Sequence, residues 1–433
     1  SSFNQPLDLW DVSDLEDMQY MFSYASSFNQ PLNNWNVSKV IEMEYFFESC
    51  ENFNQPLNNW NVSNVVDMNS MFSDTLFNQP LNTWDVSNVT TMMHMFQDAV
   101  DFNGRLNAWD VSSVQNFRHM LSYAQNFNQP IGAWNTSSAT DMAHMLDGAV
   151  VFDQDISTWN TSKVTTMYRM FLNAHSFNQP LDSWDVSSVT DMATMFAEAY
   201  AFNQPLNSWN TSNVRRTGSM FWNATSFNQD LNNWDLSADT LMSTMFVYAE
   251  SFNGDISSWN TSNVRFMDYM FGGATNFNGD ISPWDVSSVT DMQSMFDSGD
   301  NLSNENKCAI QESFSSNSNW TYDWCSYQVG DEAFGGIIFY IDSMGQSGLV
   351  AALNDIGSTQ IWGCYGTYIE GADGYEIGTG LENSINIAQG CTEFDIAAKV
   401  ALDYESIDGF TDWYLPSKFE LYEMYYSIGQ GAN

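Results

Sequence analysis

The chain has 433 residues and carries 53 acidic against 11 basic side chains, for a formal net charge of −42. So few cations cannot line a nucleic-acid backbone, and an anionic membrane surface would repel the chain. Apolar residues still make up 43% of the sequence and aromatic ones 15%, so there is a core to bury; no run of about 18 apolar residues is present to span a bilayer.

The length suggests two or three domains, and internal repetition decides where they lie. Tryptophan falls at 10, 35, 60, 84, 109, 134, 159, 184, 209, 234, 259 and 284, in steps of 25 residues with one of 24, and a phenylalanine precedes each by seven positions. The consensus is F-N-Q-P-L-x-x-W-[DN]-V-S-x-V-x-x-M-x-x-M-F-x-x-A, repeated in twelve copies over residues 1–300. Within a copy, Leu32, Trp35 and Val37 suggest a short strand with Trp35 and Val37 on one face. Val65, Met68, Met71 and Phe72 have the spacing of one face of a helical or 3₁₀ turn. No copy can bury its Phe, Trp and Met alone, so the copies must stack as coils of a solenoid, roughly 55–60 Å long at the spacing of paired strands.

The copies, such as "FNQPLNNWNVSNVVDMNSMF" at 53–72, resemble the repeats of BspA-like leucine-rich-repeat surface proteins over about 300 residues. The resemblance implies a right-handed leucine-rich-repeat-like solenoid, exported to a microbial surface and adhesive. Phe46-Phe47, Met120-Leu121 and Met145-Leu146 replace the Met-Phe pair and Thr217-Gly218 breaks a Met column; all read as substitutions in core columns.

Residues 301–326 are polar, with two Cys and two Trp, and are expected to cap the open solenoid end. From Tyr327 to 433 the composition changes to that of a small α+β domain. Strands are expected at 335–341 and 348–353, with helices at 394–404 and 418–428, the latter opened by a capping box of Ser417 and Glu420. The motifs "VGDEAFGGIIFYID" (329–342), "WGCYG" (362–366) and "DWYLPSKFELYEMY" (412–425) resemble the C-terminal domain of collagen-like bacterial adhesins, which implies a C-type-lectin-like fold. Such domains continue through a further strand-rich stretch, and the chain opens on Ser1 with no leader pattern, so both ends are expected to be edges of a larger protein.

Cys50 stands in a column otherwise held by Ala25, Ala99 and Ala124 and reads as a small buried apolar residue. No C-x-x-C spacing points to zinc. The surface-protein resemblance implies disulfides Cys308–Cys325 and Cys364–Cys391, cytosolic free thiols being the alternative.

His94, His119 and His144 occupy one position of three successive coils, with Arg169 next; they are either ligands sharing a transition metal or an exposed row multiplied by duplication. The residue after each repeat tryptophan is always Asp or Asn, the chemistry of a turn-capping ladder or of a calcium site; Asp85 and Asp110 are the one adjacent pair of aspartates. No resident cofactor is expected, calcium being the one candidate. No histidine follows residue 300, no G-x-S-x-G is present, and the glycines at 371, 374, 378 and 380 form no nucleotide-binding fingerprint. Trp362, Tyr365, Tyr368 and Trp413 are candidates for stacking on sugar rings, with the two tryptophans alternatively in the core. The expectation is a non-enzymatic extracellular or cell-surface adhesin, binding a glycan or surface protein multivalently within a larger surface assembly. A structural spacer or fibre- or coat-forming protein is the first rival, and a polysaccharide-degrading enzyme the second.

Overall fold

The computed structural model describes residues 2–299, 301–324, 327–342, 347–354, 360–406 and 409–429. The chain divides into two compact units, Ser1–Tyr322 and Asp323–Asn433.

The first unit is an array of coils made almost wholly of linked β-turns. In the coil starting at Phe102, amides donate three residues back in sequence: Trp109 to Leu106, Val114 to Val111, Met120 to Phe117, Ser122 to His119, Ala124 to Leu121 and Phe127 to Ala124, at 3.0–3.1 Å. The amides between them donate to the next coil, from Phe117 to Asp141, His119 to Ala143, Leu121 to Met145 and Tyr123 to Asp147. Alternating the two directions requires left-handed backbone at two positions per coil, here His119 (φ 56°) and Tyr123 (φ 57°).

This arrangement corrects both local expectations. Residues 2–299 contain no helix, because a helix cannot hold left-handed residues or turn alternate amides outward. The i, i+3 spacing of Val, Met and Phe arises because the two ends of a β-turn lie close together and here both face inward. Trp35 and Val37 do share the buried face, with Asn36 outside, but they belong to no strand. The bridge between neighbouring coils forms instead one residue before the first methionine, as in Asn116↔Asp141 and Asp141↔Thr166.

The interior is columnar. The phenylalanines seven positions before each tryptophan, from Phe28 to Phe277, are at most 1% exposed, and rings of one column stack, with Phe53 and Phe77 6.1 Å apart and Trp134 and Trp159 6.2 Å apart. Burying each such side chain contributes roughly 1.5–3 kcal/mol. Each buried tryptophan also donates its indole N–H to a carbonyl of the preceding coil, as Trp134 Nε1 does to Leu106 O at 3.0 Å. A second inter-coil ladder runs through the Asn of F-N-Q: Asn29 Oδ1 accepts the Asn54 backbone N–H and the Gln55 side-chain amide, both at 3.0 Å.

Residues 301–322 replace a further coil. Ser303 donates its N–H to Asn278 Oδ1 at 2.8 Å, as the next F-N-Q asparagine would. Ser303 also N-caps α1 (Asn304–Phe314), which buries Ile310 and Phe314. Trp320 and Tyr322 set their ring edges against Phe296, and the Asn317 side chain donates to the carbonyls of Val286 and Val289.

In the second unit β1 (Glu332–Ala333), β2 (Gly336–Ile341) and β3 (Gly348–Ala352) form an antiparallel sheet of order β1-β2-β3, with an irregularity between Ile338 and Tyr340. Among the described residues three helices follow: α2 (Gly380–Gly390), α3 (Ala397–Leu402) and α4 (Lys418–Ser427). The segment expected to be helical over 394–404 is the shorter α3. No helix was expected at α2, which begins at the last of the glycines 371, 374, 378 and 380. It starts on Gly380, where a Cβ would collide with the Glu420 carboxylate. Glu420 completes the capping box with Ser417 and, fully buried, accepts the N–H of Gly378 at 2.7 Å, joining the start of α4 to the loop before α2. Among the described residues no helix is long and apolar enough to cross a membrane.

If the indole bond sets coil register, Trp134→Phe leaves the Leu106 carbonyl with the Trp109 N–H as its one donor and lowers stability by about 0.5–1.5 kcal/mol, read as a lower urea midpoint. Trp10, in the first described coil, is 62% exposed where the later repeat tryptophans are 2–4% exposed. Trp10→Phe is therefore expected to shift the midpoint by no more than about 0.5 kcal/mol.

Candidate functional site

In the second unit, three of the four aromatic candidates point outward from one loop. Trp362 is 75% exposed, Tyr368 76%, and Tyr365 fully exposed, whereas Trp413 is buried and donates its indole N–H to Phe410 O at 3.0 Å. The two tryptophans thus part company, Trp413 in the core and Trp362 outside it. The loop backbone is held from below. Cys364 is disulfide-bonded to Cys391, Ile361 bridges Ile396, and Ala397 N–H donates to Ile361 O at 2.9 Å. Cys364, Ile369, Ile387 and Leu415 pack against the buried Cys391, Ile396 and Ala398. Gly363 (φ 82°) and Gly366 (φ 80°) supply left-handed turns on either side of Cys364 and Tyr365. Cys308 is also disulfide-bonded, but the expected pairing Cys308–Cys325 falls on Cys325, outside the described residues. Cys50 is a buried free thiol directed at Ala25 O, its pKa pushed up to about 12 by burial.

The histidines of the first unit stack. Ring centroids are 4.6 Å apart for His94–His119 and 4.0 Å for His119–His144, with interplanar angles of 12° and 17°. Nearly parallel rings set their nitrogens side by side, not around one point. The row is also not exposed: His94 and His119 are half-buried and His144 is 7% exposed. His144 Nδ1 pairs with Asp147 Oδ2 at 2.9 Å, and His94 Nδ1 meets Gln97 Oε1. In the middle coil the equivalent residue is Ser122, and both His119 Nδ1 and Ser122 Oγ are buried without a partner. Burial, reinforced by His144, His94, Arg118 and Arg169, lowers the His119 pKa to about 3.

The residue after each repeat tryptophan caps its own turn and forms no ladder to the next coil. Asp85 Oδ1 accepts the Ser87 N–H at 3.1 Å and Asp110 Oδ1 the Ser112 N–H at 3.0 Å, and the Ser112 hydroxyl and amide hold the Asp110 carboxyl below its ordinary range. The ladder expected here runs through the F-N-Q asparagines instead. Among the described residues one set of three potential ligand side chains has donor atoms within 4.8 Å of one another: Glu42, Glu44 and Asp67, half-buried in adjacent coils. It includes none of His94, His119, His144, Asp85 or Asp110. A hydrogen bond to Asp67, then burial and the charges of Asp67, Glu42 and Asp17, raise the Glu44 pKa to about 7. Sequence reading missed this cluster because its acids lie 23 and 25 residues apart and only the coil period brings them together.

A second missed feature is Asp239, fully buried in a column otherwise held mainly by valine. It accepts the Thr217 hydroxyl at 2.6 Å and the Leu241 N–H at 2.8 Å, and burial raises its pKa to about 6. Thr217 is the residue that interrupts the methionine column, so the two anomalies are one polar pair across a coil boundary.

These features define a turn-built repeat protein joined to a small disulfide-bonded α+β unit. The repeat residues match the family described as "Mycoplasma protein of unknown function, DUF285" over 1–76, 59–159, 151–249 and 231–322, and the chain belongs to that family. No curated protein matches the chain. Among solved structures, a distant match is "Crystal structure of TLR13-ssRNA13 complex", with 11% identity, a TM-score of 0.22, and 64% of this chain against 42% of that one. The chain thus spans less than half of that protein's length, and at that TM-score the likeness carries no argument.

Glu44 and His119 act on stability in opposite directions. Folded Glu44 keeps a proton that the unfolded chain gives up above pH 4.5, so its contribution to stability falls as pH rises from about 4.5 to 7. Glu44→Gln is expected to flatten the decline of Tm between pH 5 and 8. Folded His119 refuses a proton that the unfolded chain takes up below pH 6.5, so stability is lost as pH falls from about 6.5 towards 3. His119→Gln is expected to retain more of its neutral-pH Tm at pH 4.5 than the wild type, as followed by thermal melts in a pH series.

Proposed function

We propose that the chain is a non-enzymatic extracellular adhesin, in which a rigid coil array accompanies a glycan-binding unit. The observation that carries this reading is the outward set Trp362, Tyr365 and Tyr368 on a loop fixed by the Cys364–Cys391 bond. Aromatic faces stack on the C–H faces of sugar rings, and a loop already fixed loses little further entropy on binding. Repeated weak contacts along a regular array add avidity. The disulfide fits an oxidising compartment, and the net charge of −42 suits a saline exterior, where screening is strong. The BspA-like character of the repeats and the C-type-lectin-like character of the second unit belong to this proposal, resting on the motifs quoted above. A spacer role is the second reading, favoured by the uniform bonding of coil to coil.

A glycan array probed with the full chain, in calcium and again in EDTA, tests the reading. Binding to a defined glycan, weakened at least about ten-fold by Trp362→Ala with Tyr365→Ala, is the expected outcome; ten-fold corresponds to about 1.4 kcal/mol. Binding that survives both substitutions removes the aromatic loop from the proposal, and a blank array favours the spacer.

A further inference from the structure

Where the corners of coils 2 and 3 meet, the first unit has a hollow of about 330 Å³ lined by Asn33, Asn34, Trp35, Asn36, Val37, Asn59 and Asn61. Every polar side chain lining it is a neutral amide, on a chain of net charge −42. The sequence accounts for this. The corner reads Leu-Asn-Asn-Trp-Asn at 32–36 and again at 57–61, and no other coil places asparagine at all three of these polar positions. Elsewhere the corner carries Asp, Ser, Thr, Ala or Gly at one or more of them, as in Asn82-Thr83-Trp84-Asp85.

The orientation of the amides is also fixed. Asn36 Oδ1 accepts the Ser38 N–H and Asn61 Oδ1 the Ser63 N–H, each at 3.2 Å. With the oxygen committed to the backbone, the –NH₂ group is the part that faces out, and stacking repeats it one coil further on, about 5 Å away. In coils with aspartate at this position the corresponding outer atom is a carboxylate oxygen, an acceptor bearing charge. In five of the other ten coils the middle corner residue is also committed: Thr83, Thr158, Ser183, Ser208 and Ser258 donate their hydroxyls back to carbonyls of the previous coil. Asn135 and Asn160 cap their turns in the same way in coils 6 and 7, but the other two corner positions there are Gly132-Ala133 and Ser157-Thr158; coils 2 and 3 are the place where all three positions carry neutral amides. Beside them, Asn33 Oδ1 accepts the Asn59 N–H at 3.0 Å, which ties the two corners together.

We infer that this hollow is a binding subsite for a neutral, polyhydroxylated ligand, a segment of an uncharged oligosaccharide. Sugar hydroxyl oxygens accept from the paired Asn36 and Asn61 amides, while the remaining amides offer both donors and acceptors. Uncharged sugar is favoured over sulfated or uronate sugar because the surrounding surface is acidic. The inference shares its ligand class with the proposed function but none of its residues.

The test uses the full chain, titrated by NMR or calorimetry with soluble neutral oligosaccharides of glucose, mannose and galactose. The variant is Asn36→Asp with Asn61→Asp. Aspartate keeps the turn-capping oxygen, as Asp85 and Asp110 do, so the coils remain folded, while both outward donors are lost. At least ten-fold weaker binding in this variant, with Trp362→Ala leaving the same contribution intact, supports the subsite. The converse variant, Thr83→Asn with Asp85→Asn, extends the amide corner into coil 4 and is expected to tighten binding of longer oligosaccharides. If no neutral oligosaccharide binds, or if binding is indifferent to the double aspartate variant, the subsite is overturned. Loss only with Trp362→Ala would leave the aromatic loop standing and remove the hollow.

Discussion

The repeat domain depends on the indole N–H of each buried tryptophan finding the carbonyl of the leucine or isoleucine one coil earlier. Eleven such bonds, from Trp35 to Leu7 through Trp284 to Ile256, fall between 2.9 and 3.1 Å. The indole is large enough to fill the space between coils and has one donor, so it must lie at one height and one angle. The accepting partner is a backbone atom, which is why leucine and isoleucine exchange freely in that column. Once the indole is set, the Asn ladder and the forward-donating amides have no choice of register. The coil starting at Phe53 shows the tolerance of this scheme. One residue shorter than the others, it places Thr75 in the alanine column, where the hydroxyl bonds Phe72 O at 2.9 Å, and the Trp84 indole still reaches Leu57 O at 3.0 Å.

Other substitutions follow the same accounting of buried polar groups. Where the valine after the turn-capping residue becomes threonine, at 136, 161, 211 and 261, the added hydroxyl donates to a carbonyl of the next coil at 2.9–3.0 Å. Its burial is thereby satisfied within the array. Thr217 and Asp239 extend this to a pair of substitutions that answer each other. The bridge pattern records a local cost: the run from Asp17 to Asp191 is interrupted at Arg216 and resumes between Leu241 and Phe266. The middle of the histidine stack is the exception, since Ser122 is too short to do for His119 what Gln97 and Asp147 do for their neighbours.

The 25-residue period and its buried columns were legible because a repeated apolar side chain has one reason to recur. The conformation of each coil was not, because β-turns and helices both bring residues three apart to one side. What separates them is the sign of φ at positions such as His119 and Tyr123, where Tyr, Ser, Thr, Glu and Arg stand in other coils beside the His, Asn and Asp that favour left-handed backbone, so residue type alone does not mark them. In the second unit, β2, β3 and the Ser417–Glu420 capping box were readable from local pattern. α2 was not, since its boundary glycine answers to Glu420, forty residues away. Of the candidate site residues, the exposure of Tyr365 and Tyr368 was readable from their glycine-rich loop, whereas the opposite fates of Trp362 and Trp413 depend on tertiary packing.

A coil whose interior, edges and turns are all committed to holding its neighbours can vary only at its corners. Even there the tryptophan and the turn-capping residue are committed, so the freedom is confined to the two positions before the tryptophan, where Asp, Asn, Ser, Thr, Ala and Gly all occur. The second unit reaches the same separation by other means: a disulfide and a small apolar cluster fix the loop, and Trp362, Tyr365 and Tyr368 are left for contact. Under the binding role proposed above, the backbone that presents a side chain in either unit is ordered before a ligand arrives. The ordering cost that weakens flexible binders is met during folding. Individually weak, uncharged contacts can then add up on a surface whose net charge would repel most polyanions.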